Sequence, residues 1–193
     1  IRTPLNAVIG MAELILHSPL PPRQRDYAEK IRLAGRSLLD TVNDILDFSK
    51  IEAGRLELES VSFRLEEVVS NAYLLVERAA LEKGVEPLFE ARPGSGSLLA
   101  EVLVGDPLRI GQVLGNLLSN AVKFTPSGHV SLRVDGQVAE DGRLMVSLIV
   151  EDTGIGMRAD QIERLFEDFV QADGATTRQY GGTGLGLAIV RRL

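Results

Sequence analysis

The spacing of hydrophobic positions changes period once along the chain, and that change divides it. Leu5, Val8, Ala12 and Ile15 recur at intervals of three and four, the repeat of one helix face. Ser18-Pro19-Leu20-Pro21-Pro22 cannot continue that helix, because proline lacks the amide donor and clashes with the preceding turn. Tyr27, Ile31, Ala34, Leu38, Thr41, Ile45 and Phe48 then resume the repeat, with Leu39, Val42 and Leu46 widening the stripe. The short connection makes the two helices antiparallel neighbours, yet two helices alone cannot cover so wide an apolar face. A second copy of the hairpin would complete a four-helix bundle, so a homodimer through residues 1–52 is expected. Packing of the stripe on the rest of the same chain is the alternative.

Ala53-Gly54-Arg55 supplies a glycine to end the long helix, and Leu56-Glu57-Leu58-Glu59-Ser60-Val61-Ser62-Phe63 then alternates apolar and polar as a half-buried strand does. The expected boundary lies here, with 1–54 a helical hairpin and 55–193 a second domain. Beyond it the pattern predicts a helix over Leu65–Lys83, strands over Val85–Ala91 and Leu98–Val104, and a helix over Pro107–Lys123. Strands over His129–Val138 and Leu144–Glu151, joined through Glu140-Asp141-Gly142, read as an antiparallel hairpin. A short helix over Ala159–Phe166 and a last one starting near Gly184 complete the reading. Strands mixed with helices predict an α/β sandwich, with helices on one face of a mixed sheet.

Composition narrows the function classes. The 193 residues are 45 % hydrophobic and include no Cys, which suits a globular core and excludes thiol catalysis and Cys-ligated zinc or iron–sulfur centres. The 21 basic side chains are outnumbered by 27 acidic ones, a balance of −6 with no overall field to attract nucleic acid. The most apolar stretch, Ala7 to Leu16, is interrupted by Glu13 well short of the ~18 residues of a membrane-spanning helix. No charged n-region and cleavage site stand before it in these residues, so a signal peptide is not expected in them.

Asn116, Asn120 and Lys123 stand at i, i+4 and i+7 of one predicted helix and project from one face, with Leu114, Leu117, Leu118 and Val122 largely opposite. Two amides and an ammonium in a row suit a magnesium–polyphosphate: an amide oxygen ligates a hard cation, and amide N–H and Lys donate to phosphate oxygens. A solvated polar face is the other reading. Glu151-Asp152-Thr153-Gly154-Ile155-Gly156-Met157 follows an apolar strand, which places a carboxylate and two glycines where backbone can approach a ligand and the acid can accept the amino group of adenine. Gly181-Gly182-Thr183-Gly184-Leu185-Gly186-Leu187 opens a helix and offers backbone N–H groups to phosphate. It follows the polar segment Asp173–Tyr180 instead of a strand, so a dinucleotide fold is not expected, and the absence of any Gly-Lys pair excludes a Walker A loop.

These residues resemble the motifs of sensor histidine kinases. Ile1-Arg2-Thr3-Pro4-Leu5-Asn6 is similar to the H-box, Asn116 through Phe124 to the N-box and Asp152-Thr153-Gly154-Ile155-Gly156 to the G1 box. Phe166-Glu167-Asp168-Phe169 resembles the F-box and Gly182-Thr183-Gly184-Leu185-Gly186-Leu187 the G2 box. The resemblance implies a dimerisation and phosphotransfer hairpin followed by a Bergerat-type ATP-binding domain, as in gyrase and MutL. Asn116 would ligate Mg2+, Asn120 and Lys123 would hold phosphates, Asp152 would read adenine, and Phe124 would lie beside the base. Gly154, Gly156, Gly182, Gly184 and Gly186, with Thr183 and Leu185, would form the close backbone around ATP. Residues 171–183 would be a lid, with Arg178 neutralising the terminal phosphates or standing as a mobile surface side chain. Hydrolytic relatives place Glu at the position of Asn116, whereas an amide is a poor general base, so transfer to an acceptor is favoured over hydrolysis.

The family's acceptor is a His two places before the position of Ile1, and Thr3, four places after it, is expected either to orient water for dephosphorylating a partner or simply to cap the helix ahead of Pro4. His17 and His129 read as surface histidines. The first domain is expected to be cut before its acceptor and the second before the last part of its sheet. The implied activity is autophosphorylation from ATP followed by transfer to an Asp of a response-regulator receiver domain in the cytoplasm, with any membrane anchor outside these residues. Receiver domains following the core, as in hybrid kinases, are suggested by Gln171-Ala172-Asp173 and Thr176-Thr177-Arg178. A degenerate ATP-binding scaffold or switch is the second reading.

Overall fold

The computed structural model describes residues 1–91, 99, 101–138, 144–164 and 184–193, and they fall into two units, Ile1–Leu56 and Glu57–Leu193. No helix among the described residues is long and apolar enough to cross a membrane.

The first unit is a helical hairpin of α1 (Arg2–Leu16) and α2 (Pro22–Glu52). Pro22 opens α2, where its missing N–H costs nothing because the first helical amides have no intrahelical acceptor. The helices approach most closely where Gly35 faces Ile9: a Cβ on Gly35 would stand 2.9 Å from Ile9 Cγ1, so glycine sets the spacing. Arg36 Nη2 and Glu13 Oε1 form an ion pair at 2.5 Å across the same interface. The long helix ends in a Schellman turn, with Gly54 at φ +63°, its N–H donating to Ile51 O and that of Arg55 to Lys50 O. Within the hairpin only Ile9, Ala12, Ala28, Gly35 and Phe48 are buried, whereas Val8, Ile15, Tyr27, Ile31, Leu38 and Ile45 of the predicted stripe are exposed. The expected N-cap at Thr3 is corrected: Thr3 lies inside α1, the cap position is Ile1, and no side chain caps it.

The second unit runs β1 (Val61–Arg64), α3 (Leu65–Lys83), β2 (Val85–Ala91), β3 (Val102–Gly105), α4 (Pro107–Phe124), β4 (Gly128–Val138), β5 (Leu144–Asp152), α5 (Ala159–Arg164) and α6 (Gly186–Arg192). Its strands form a three-stranded mixed sheet in the order β2-β4-β5, parallel then antiparallel, and a separate antiparallel pair of β1 and β3. Leu132 of β4 sits opposite Phe89 of β2 and Val150 of β5, so Val130, Leu132 and Val134 share one sheet face. That face is covered by α3 and α4, and Leu65, Val69, Ala80, Leu114, Leu118 and Leu132 are buried together. Full burial of each of these leucines contributes about 1.5–3 kcal/mol, so the apolar side of α4 is fixed firmly.

Two strand predictions are corrected. The predicted strand over 56–63 begins only at Val61, because its partner β3 ends at Gly105, opposite Val61. Next to it Asp106 leaves the ladder to cap α4, its Oδ1 accepting the Arg109 N–H at 3.0 Å and its Oδ2 the Glu59 N–H at 3.1 Å. A side chain thus holds the segment that a strand was expected to hold. The strand predicted over 98–104 is confined to Val102–Gly105, and Leu99 is helical. The final helix starts at Gly186, two residues later than expected.

Candidate functional site

The helix α4 carries the polar triplet because its other face is committed to the core. Leu114, Leu118, Ala121 and Val122 are buried, while Asn116, Asn120 and Lys123 are half-buried on the opposite side. Asn116 Nδ2 donates to the carbonyl oxygen of Gly186 at 3.3 Å, which brings the first residue of α6 against α4. A Cβ at Gly186 would stand 3.4 Å from both Cγ and Oδ1 of Asn116, so glycine permits the amide to lie flat on this backbone.

The last turn of α4 is joined to the turn after β5. Lys123 Nζ lies 4.9 Å above the Phe124 ring centroid, a cation–π approach that leaves less water around the ammonium. Burial lowers the Lys123 pKa from the ordinary 10.5, because the charged form loses hydration. The Phe124 carbonyl accepts the Ile155 N–H at 3.2 Å, and Asp152 Oδ1 accepts the Gly154 N–H at 2.9 Å. That bond commits one oxygen of an exposed carboxylate to the turn, and the second oxygen is the one Asp152 has to offer a ligand. Thr153 pins the same turn to the start of β4: its Oγ1 accepts the His129 N–H at 2.9 Å and donates to His129 O at 3.2 Å.

The described glycines of these motifs stand in different surroundings. A Cβ on Gly154 would stand 2.5 Å from Phe124 O and 2.7 Å from Asp152 Oδ1, so this glycine makes room for the protein's own backbone. Gly156 at φ +64° and Gly184 at φ +71° are left-handed turn positions. Leu185 is buried, and its carbonyl accepts the Ile189 N–H at 2.9 Å. Gly182, Thr183 and Arg178, with the expected lid over 171–183 and the motif Phe166–Phe169, lie outside the described residues. Thr3 belongs to the other unit, exposed in the first turn of α1.

Sequence reasoning missed three residues that shape this site. Thr153 and Asp106 use side chains to hold backbone many positions away, and Lys83 donates to the end of α4. The Asp-Pro pair at 106–107 carried the one readable signal, an N-cap acid before a helix-opening proline.

Comparison with known proteins agrees with this geometry. Residues 105–193 match the family described as histidine kinase-, DNA gyrase B- and HSP90-like ATPase, and residues 1–54 match the His Kinase A (phospho-acceptor) domain. Over 193 residues the chain is 39 % identical to the signal transduction histidine-protein kinase BarA of Escherichia coli K12, all of this chain but 21 % of that protein. It is 42 % identical over 196 residues to the sensor histidine kinase GacS of Pseudomonas protegens, again 100 % of this chain and 21 % of the relative. The chain therefore spans about a fifth of the length of the curated relatives it matches. Among solved structures, full-length ShkA in complex with AMPPNP is similar with a TM-score of 0.69 and 38 % identity, covering 99 % of this chain and 38 % of that one.

Proposed function

The chain belongs to the sensor histidine kinases, and on that premise we propose that it is the kinase core of a two-component sensor. It binds ATP on the polar face of α4 and passes the γ-phosphoryl group to a histidine of the helical hairpin, from which an aspartate of a response-regulator receiver domain takes it. The observation that carries this reading is the joining of three elements around α4: Asn116 against Gly186, Lys123 partly desolvated, and the Asp152 turn bonded to Phe124.

Each side chain has a task that its surroundings prepare. With Nδ2 of Asn116 donating to Gly186, Oδ1 is the amide atom left to accept or ligate. Magnesium takes one or two protein oxygens beside substrate phosphates, so Asn116 Oδ1 fits it, and the ion would neutralise phosphate charge. Lys123, in the last turn of the helix, and Asn120, about one turn from its end, donate to phosphate oxygens. A partly desolvated ammonium binds a polyanion more strongly than a hydrated one, since less water is displaced on contact. The second oxygen of Asp152 accepts from the adenine amino group, and Phe124 lies beside the base.

The chemistry is positioning and charge neutralisation: the bond from the γ-phosphorus to its bridging oxygen breaks, a bond to an imidazole nitrogen forms, and ADP leaves. Asn116 supplies no general base for water, which favours transfer over hydrolysis. Thr3 is assigned to the opposing phosphatase reaction, orienting the water that hydrolyses a phosphorylated receiver to its free aspartate and inorganic phosphate. The uncovered face of α1 and α2 supports a homodimer whose paired hairpins make a four-helix bundle. These reactions belong in the cytoplasm, where ATP is.

The experiment is incubation with γ-labelled ATP of this chain carried in a protein that has a histidine two places before Ile1. Acid-labile, base-stable protein phosphate, chased by a receiver domain, is the expected outcome. Tight ATP binding with no phosphohistidine would identify a nucleotide-operated scaffold instead.

A further inference from the structure

The end of α4 has its backbone accounted for from three directions. The last four carbonyls of a helix have no intrahelical acceptor role to fill and need outside donors. Ala121 O receives the Thr125 N–H at 3.1 Å and the buried Thr125 hydroxyl at 2.7 Å. Phe124 O receives the Ile155 N–H at 3.2 Å. The two carbonyls between them, Val122 O and Lys123 O, are both met by one group, Lys83 Nζ, at 2.8 and 2.7 Å. Lys83 comes from the last turn of α3, where Gly84 at φ +76° ends the helix.

We propose that Lys83 is a positioning residue for the nucleotide site, a charged cap that fixes the last turn of α4 and so fixes where the Lys123 ammonium stands. The inference rests on the reading of α4 as the phosphate-binding helix. A cation at a helix C-terminus opposes the negative end of the dipole, and bonds from an ammonium to carbonyls are stronger than neutral ones. Lys123 is one of the two residues whose carbonyl Lys83 holds, so unwinding of this turn displaces Lys123 directly. Phe124 keeps its own tie to Ile155, so the base-binding end of the site survives loss of Lys83.

That asymmetry decides the test. The affinity of the full chain is measured by calorimetry for the magnesium complex of the imido analogue of ATP and, separately, for adenosine. Lys83→Met is expected to weaken the triphosphate about tenfold while leaving adenosine within about twofold, because only phosphate contacts depend on this turn. Lys83→Arg, which retains the charge and the donors, is expected to recover most of the loss. Combined with Lys123→Ala, Lys83→Met should add little, since both changes remove the same contact. Should Lys83→Met not fold, Lys83→Gln is read in the same way.

If Lys123→Ala weakens the triphosphate but Lys83→Met does not, the positioning role is overturned and the site stands. If Lys83→Met weakens adenosine as much as the triphosphate, or adds fully to Lys123→Ala, Lys83 is only structural. If Lys123→Ala itself changes nothing, the reading of α4 fails and this inference with it.

Discussion

Asn116 and Gly186, 70 positions apart in sequence, are joined by a hydrogen bond from the Asn116 side-chain Nδ2 to the Gly186 carbonyl at 3.3 Å. The bond uses the donor half of the amide and presents the acceptor half. A carboxylate in the same place would have two acceptors and nothing to donate, and would set a negative charge against a carbonyl oxygen. One residue therefore couples the packing of α6 on α4 to the chemistry of the polar face.

Asn116→Asp should show both consequences, and they can be measured separately. Thermal unfolding should fall by a few degrees, since a hydrogen bond is replaced by a carboxylate facing the Gly186 carbonyl oxygen, a change that costs about 1–3 kcal/mol. Affinity for ATP-magnesium should fall at least about tenfold by calorimetry at a temperature where the variant is folded. Asn120→Ala should lower affinity and leave unfolding nearly unchanged. A variant with lowered unfolding temperature but undiminished affinity at Asn116 would remove this residue from the site.

Gly154→Ala tests what the first glycine of the Asp152 turn is for. The added methyl would meet the Phe124 carbonyl at 2.5 Å and Asp152 Oδ1 at 2.7 Å; the carboxylate tip can swing away, but the backbone carbonyl cannot. Overpacking of this kind costs about 1–3 kcal/mol. Denaturant unfolding should register that loss, with nucleotide affinity falling because the turn must separate from Phe124. Gly156→Ala meets no atom within 4 Å and carries only the strain of φ +64°, so it should cost about 1–2 kcal/mol and move Phe124 little. Equal loss of affinity in the two variants would count against the contact with Phe124.

Parts of this fold are legible in sequence for reasons that are themselves local. The helix α3 has a strong apolar repeat and a glycine stop at Gly84, and α4 has Pro107 at its start, so both were readable nearly to the residue. The alternation over Leu56–Glu59 is an equally local signal, but a strand needs a partner, and the one available ends at Gly105. The same division runs through the site. The placing of Asn116, Asn120 and Lys123 on one face follows from helix geometry alone. That Gly154 makes room for the carbonyl of Phe124, or that Lys83 meets the end of α4, depends on how separate elements pack, which no spacing encodes.

The lowered pKa of Lys123 gives a pH dependence with a definite sign. Folding withdraws water from the ammonium, so between the folded pKa and the unfolded 10.5 the unfolded chain holds more protons than the folded one. Stability contributed by this group therefore rises as pH increases through that window, and Lys123→Met should abolish the rise. Polyphosphate reverses the preference by favouring the charged form. Binding of ATP at alkaline pH approaching 10.5 should then be accompanied by net proton uptake, visible as a dependence of calorimetric enthalpy on buffer ionisation heat. Uptake that persists in Lys123→Met would place the titrating group elsewhere.

The hairpin face is the last relationship open to direct test. Ile31 and Leu38 are 51 % and 52 % exposed in the single chain, on a helix in which only Ala28, Gly35 and Phe48 are buried. Covering such side chains in a paired hairpin is worth about 1.5–3 kcal/mol each, and every substitution acts twice in a symmetric dimer. Leu38→Glu should therefore raise the dimer dissociation constant by at least about a hundredfold in sedimentation equilibrium. Because Leu38 is half-exposed within one chain, the same change should alter unfolding of the monomer by no more than about 0.5 kcal/mol. Combined with Ile31→Glu the chain should be monomeric at working concentrations and still bind nucleotide, since the phosphate-binding residues lie in the second unit. A parent chain that sediments as a monomer, or a Leu38→Glu dimer of unchanged affinity, would assign the exposed stripe to another partner.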